Sequence, residues 1–209
     1  MTTLKQNLEI ITNNALLHAK WLNTLSLMEN TGARKISKCE HPILVNETIL
    51  KHAAEEARHA YYLKKQISKT QPNACPTYAF EYLLAPITSY QYLHKLDATA
   101  SRYIKDVLNL DGHELAFASY LLVTYAIEVR ADELYPIYQD ILTATNSKVN
   151  VKSIIVEEEG HLEEMERQLI DFSDDWKTHA DAIVAVEHQL FDEWMNRLST
   201  QLSRIQAAS

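Results

Sequence analysis

Glycine is scarce in this chain: Gly32, Gly112 and Gly160 are the only three in 209 residues, and they lie far apart. No glycine-rich phosphate loop can be assembled from them. Proline is nearly as rare, with five residues, and alternating runs of the β type are missing. Punctuation this sparse predicts an all-helical chain folded as one domain over residues 1–209 around a single sizeable core. The two cysteines, Cys39 and Cys75, form no CxxC. That excludes a rubredoxin-type iron site, makes a disulfide framework improbable, and leaves two free thiols of the kind expected in a reducing, cytoplasmic setting. The longest uncharged stretch, residues 115–127, is too short for a membrane span, and the first residues lack the basic and apolar regions of a secretion signal. Twenty Lys and Arg against twenty-eight Asp and Glu leave a net charge of −8. This balance argues against a broad nucleic-acid surface, which needs basic side chains to neutralise phosphates.

What the chain does have is helical periodicity. Leu4, Leu8, Ile11, Ala15, His18, Leu22, Leu25 and Glu29 step by four and three, the seam of a bundle helix, with Gly32 expected to loosen the chain after it. A second helix is predicted from Asn46 as N-cap, with Ile49, His52, Glu56, His59, Leu63 and Ile67 on its seam. Residues 68–76 read as a loop. An aromatic-rich segment from residue 77 is expected to continue helically to about Leu108, with a break at Pro86. A third long helix is predicted from His113 to Leu134, where Pro136 should kink or end it. A fourth carries Ile154, Glu158, His161, Met165 and Leu169, and a last amphipathic helix carries Ile183, Leu190, Trp194, Leu198 and Leu202.

Four of these seams contain acids: Glu29, Glu56 with His59, Glu128, and Glu158 with His161. A single histidine on an apolar stripe is ordinarily a hydrogen-bonded core residue, and an isolated Glu-x-x-His carries little weight. The joint pattern is different. A buried, unpaired carboxylate costs several kcal/mol and must be neutralised, ion-paired or bound to a cation. No Lys or Arg shares these seams, and Arg58 points about 100° away from Glu56 around its helix. Two divalent cations would balance four carboxylates, and two neutral imidazoles would complete the protein ligands while leaving positions open.

The order Glu, Glu-x-x-His, Glu, Glu-x-x-His, each on its own helix, resembles the ferritin-like di-iron carboxylate proteins. The resemblance covers about residues 4–172. It implies a ferritin-like four-helix bundle with a long helical crossover, to which the C-terminal helix is an addition. It also implies two iron ions, or manganese, or one of each, held by Glu29, Glu56, His59, Glu128, Glu158 and His161, with Glu56 and Glu158 bridging. Glu55 and Glu157, four residues before the histidines, compete with the i−3 glutamates, a spacing that is also similar to the haem-oxygenase-like di-iron oxidases. Glu40 is the alternative to Glu29. Asp132, one turn beyond Glu128, is a candidate to accept a histidine N–H, and Tyr125, one turn before it, to line the site. His18 and His52 read as core or outer partners, and Gly160 either as a point of close packing near the metals or as a position without a role.

The stretch IEVRADELYPIY (127–138) resembles the third ligand helix of aldehyde-deformylating oxygenases, although the stretch between His59 and Glu128 is longer here. The expected activity is that of an O2-activating oxidase or oxygenase acting on a small apolar molecule, with an electron donor, no membrane or nucleic-acid partner, and a homodimer compatible with it. An iron-binding, ferroxidase or peroxide-protective role without an organic substrate is the alternative, and a metal-free helical adaptor a third.

Overall fold

Asn14 divides the first predicted seam. Its side-chain oxygen accepts hydrogen bonds from the amides of Leu16 and Leu17 at 3.1 and 3.0 Å, capping a new helix where the spacing alone predicts one continuous element. The computed structural model describes residues 2–208. Among them are seven α-helices and no strand: α1 (Thr2–Thr12), α2 (Ala15–Cys39), α3 (Glu47–Gln66), α4 (Pro86–Tyr103), α5 (Gly112–Ala144), α6 (Lys152–Phe172) and α7 (Trp176–Ala207). None is long and apolar enough to cross a membrane.

α2 and α3 form an antiparallel hairpin, in which Ser26 Oγ donates to the carbonyl of Ala60 at 2.7 Å and Lys64 Nζ reaches Asn23. Asn46 caps α3 as expected, accepting from Thr48 and Ile49. α5 and α6 pair in the same sense, with Phe117 against Phe172 at one end and Gln139 accepting from the Val151 amide at the other. The pairs meet where His52 faces Glu164 and Tyr62 faces Asn150, so α3 and α6 are antiparallel. It follows that α3 and α5 run in the same direction. The chain between them must return along the length of the bundle, which is why residues 67–111, including α4, are needed there.

Two local readings are corrected, and of the two outcomes expected at Pro136 the ending of the helix is excluded. Gly32 does not end α2, which continues to Cys39 because Ala33 and Ile36 are buried. Pro86 does not break a helix but starts α4 at its first turn, where the missing N–H costs nothing; residues 77–85 hold only a 3-10 turn at Phe80–Tyr82. Pro136 lies inside α5, which runs on to Ala144. Burial of Tyr135, Tyr138, Ile141 and Leu142 around it outweighs a helix-interior proline's cost of about 3 kcal/mol. The buried apolar side chains fall into two clusters. One is built around Trp21, Leu63, Tyr138 and Trp194, the other around Ile49, Leu96, Leu121 and Met165. The acidic seam positions lie between them.

Candidate metal centre

Glu29 stands midway along α2, Glu56 and His59 one turn apart on α3, Glu128 midway along α5, and Glu158 and His161 one turn apart on α6. Because all four helices turn their apolar seams to a common axis, these side chains converge. Glu29, Glu56, His59 and Glu158 each place a donor atom within 4.8 Å of the other three, and Glu56, Glu128, Glu158 and His161 do the same. Glu56 and Glu158 belong to both groups. All six side chains are buried except Glu29, which is half-buried. These are two adjoining clusters that could each hold a metal ion, sharing two carboxylates.

The histidines are oriented for that task. His59 Nδ1 lies 3.1 Å from Glu158 Oε1, and His161 Nδ1 lies 3.0 Å from Glu158 Oε2 and 3.8 Å from Glu128 Oε1. Their outer nitrogens are held across the α3–α6 contact, each 2.8 Å from a carboxylate of the opposite helix: His59 Nε2 from Glu157, and His161 Nε2 from Glu55. A carboxylate on Nε2 keeps the proton there and frees the Nδ1 lone pair for a cation. Glu55 and Glu157 are therefore not members of the two clusters; they orient the histidines. Arg58 in turn binds Glu157. Glu40 sits at the C-cap of α2, outside the clusters.

Two observations test whether a cation fits. His59 Nδ1 is buried and makes no hydrogen bond, although a carboxylate oxygen stands beside it. None of the four carboxylates is paired with a lysine or arginine among the described residues. Without metal, Glu56, Glu128 and both imidazoles are shifted toward their protonated forms. Burial, with Glu29 and Glu158 nearby, pushes the Glu56 carboxyl well above the usual range; burial and Glu158 do the same to Glu128. Burial would depress both imidazoles, but Glu158 and Glu29 hold His59 up at about 9, and Glu128 and Glu158 hold His161 up at about 11. Burial would raise Glu158 too, yet Glu128, the hydrogen bond with His161 and the neighbouring His59 imidazole keep it well below the ordinary carboxylate value.

Two expected participants lie elsewhere. Tyr125 is half-buried with its ring edge-on to Trp176 at 6.0 Å, and Asp132 is exposed. Helix geometry gives the reason. At 100° per residue, positions 125 and 132 fall about 60° and 40° to one side of Glu128, whereas 124 and 135 fall about 40° and 20° to the other. That other side faces the cavity. Tyr135 lines it and donates its phenolic hydrogen to Glu29 Oε1, a contact signalled in the sequence only by the seven-residue return from Glu128. His18, held at 2.6 Å by Tyr138, is a neutral core residue, its pKa lowered by burial to about 4. His52 lies beside the His161 ring and bridges Tyr120 and Glu164. Gly160 is exposed with open space around it, so it serves no close packing.

A cavity of about 100 Å³ opens against Glu29, Glu56 and Glu128. Met28 and Ile36 of α2, Leu93 of α4, Val123 and Ile127 of α5, and Trp194 of α7 give it a largely apolar wall. Behind it lies a second buried polar group that the sequence reading overlooked. Glu187 of α7, fully buried, accepts two hydrogen bonds of 2.9 Å from Arg130 and one from Tyr92. Its position four residues after Ile183 on the α7 seam was the available signal. No protein-family model, curated protein or solved structure matches the chain, so the chemistry of the site is read from its own geometry.

Proposed function

We propose that this chain is a ferritin-like di-metal protein in which two iron ions activate O2 to oxidise a small apolar organic molecule bound in the adjoining cavity. Manganese, or one ion of each kind, suits the same oxygen and imidazole donors. The observation that carries the reading is the pair of overlapping donor clusters with an apolar cavity on one side of them. The ferritin-like assignment rests on the antiparallel α3–α6 contact with its reciprocal Glu-x-x-His motifs, and on the crossover joining two helices that run in the same direction.

When bound, the metal pair would supply the redox chemistry with O2. The residues of the chain would do the rest. Glu29, Glu56, Glu128 and Glu158 would provide the balancing charge, Glu56 and Glu158 from shared positions. His59 and His161 would donate Nδ1, fixed in that tautomer by Glu157 and Glu55. Tyr135 would hold Glu29, the least buried carboxylate, in place. The apolar wall would exclude water and orient the substrate, and an external electron donor would complete an oxygenase cycle.

The test is anaerobic loading with Fe(II) followed by a measured pulse of O2. The reading predicts uptake of about two irons per chain, rapid O2 consumption, and further consumption when small apolar compounds and a reductant are added. Iron oxidation that no organic compound accelerates would favour the ferroxidase role. Absence of any O2 consumption would overturn both.

A further inference from the structure

Among the described residues two threonines are buried, Thr24 and Thr124. Thr24 is fully committed: its hydroxyl donates to the carbonyl of Lys20 at 2.7 Å and accepts from the Leu84 amide at 3.0 Å. Thr124 is 7 % exposed and lines the cavity, yet its hydroxyl has no hydrogen-bond partner among the described residues. It does not bond back to the carbonyl of Tyr120, the local solution that Thr24, Thr31 and Thr143 adopt four residues upstream on their own helices. Among the described residues the sealed side-chain atoms without a partner are Trp21 Nε1 and His59 Nδ1, so the Thr124 hydroxyl is not sealed off and stands open to an occupant of the cavity its residue lines.

The other hydroxyls of the wall are taken. Tyr120 binds His52, Tyr92 binds Glu187, Tyr135 binds Glu29, and Ser119 lies 3.4 Å from Ser101. Both cations of the wall are also paired, Lys35 with Asp97 at 2.6 Å and Arg130 with Glu187. Without metal, an anionic ligand would meet Glu29, Glu56 and Glu128 with no unpaired lysine or arginine of the wall to receive it. The size is bounded as well: at about 100 Å³ the cavity is smaller than the roughly 150 Å³ apolar cavity that accepts benzene, which limits the occupant to fewer heavy atoms than a benzene ring.

We infer that Thr124 holds the oxygen function of a neutral small molecule, an alcohol, aldehyde or ketone of about this size, one helical turn from Glu128. The inference rests on the reading of this cavity as the substrate site. A hydroxyl can donate to a carbonyl oxygen or accept from an alcohol, and a single such contact in an apolar pocket selects for the oxygenated molecule over its hydrocarbon counterpart.

The experiment compares 1-butanol with pentane, which have the same number of heavy atoms, by NMR titration of the metal-loaded protein. Shifts of the Val123 and Ile127 methyl groups report on the cavity. Wild type is expected to prefer butanol. Thr124→Val, which keeps the shape, should lose about three- to tenfold in butanol affinity while binding pentane as before, and Thr124→Ser should keep the preference. An unchanged butanol-to-pentane ratio in Thr124→Val, or no binding of either probe at these methyls, would overturn the inference. Metal content measured on the same samples separates it from the proposed function. A hydroxyl-dependent preference in protein that takes up no metal would uphold the ligand site and sink the oxygen-activating reading. Two metals with no such preference would do the reverse.

Discussion

Two buried polar clusters share helix α5, and they solve the same problem in opposite ways. At Arg130 the solution is internal. Glu187 is fully buried, but Arg130 meets it with two nitrogens at 2.9 Å, Tyr92 donates to it, and the guanidinium lies 3.9 Å from the Phe191 ring centre. Two residues earlier, at Glu128, four carboxylates and two imidazoles meet with no lysine or arginine among them. The comparison teaches that a buried carboxylate is not by itself a sign of metal. The sign is a buried set whose charges the protein leaves unbalanced.

The largest effect should come from opening the closed cluster. Arg130→Met leaves Glu187 buried without its cation and should cost about 3–5 kcal/mol, seen as a thermal midpoint lower by roughly 6–20 °C. The double variant with Glu187→Leu should recover most of that loss. If Arg130→Met melts like wild type, the cluster is not the self-balanced unit described here.

The open cluster should respond to substitution in metal binding rather than in folding. His59→Ala and His161→Ala each remove one donor from a different metal group and should each lose about one metal equivalent or more, with helicity by circular dichroism unchanged. Full metal retention in both variants would contradict the assignment. One step outward, Glu157→Gln and Glu55→Gln should weaken metal affinity by about 10–100-fold, measured by competition with a chelator. Equal affinity would mean that these carboxylates do not orient the histidines.

Protonation sharpens the contrast further. His59 and His161, held up at about 9 and 11, carry protons near neutral pH without metal, and burial shifts Glu56 and Glu128 toward their protonated forms. A cation must displace those protons, so affinity should rise with pH across the neutral range and binding should release protons. Calorimetry in two buffers of different ionisation enthalpy reads that release directly, and a buffer-independent heat would contradict it.

The helices were legible because their seams are regular, and the six cluster residues because they interrupt those seams. The breaks were not. Asn14 starts a helix that periodicity alone would merge with α1, while Gly32 and Pro136 fail to stop helices whose flanking residues are buried. Glu55 and Glu157 could be seen but not placed, since their partners lie across a helix contact whose register depends on the whole bundle. Asp132 and Tyr125 were chosen by spacing of one turn from Glu128, and spacing alone did not say which side of it faced the cavity. Of the two readings of Gly160, the open space around it leaves the one without a packing role. The residue is exposed and unencumbered, so Gly160→Ala should stabilise α6 by about 0.5–1 kcal/mol without changing metal content.

The measurement that bears most directly on the unbalanced cluster is metal content per chain after anaerobic incubation with Fe(II) or Mn(II) and removal of excess, by elemental analysis. The account predicts about two metals per chain, lost together with the histidine donors. A chain that retains none would show that protons alone neutralise the four carboxylates, and the metal-centre reading would fall.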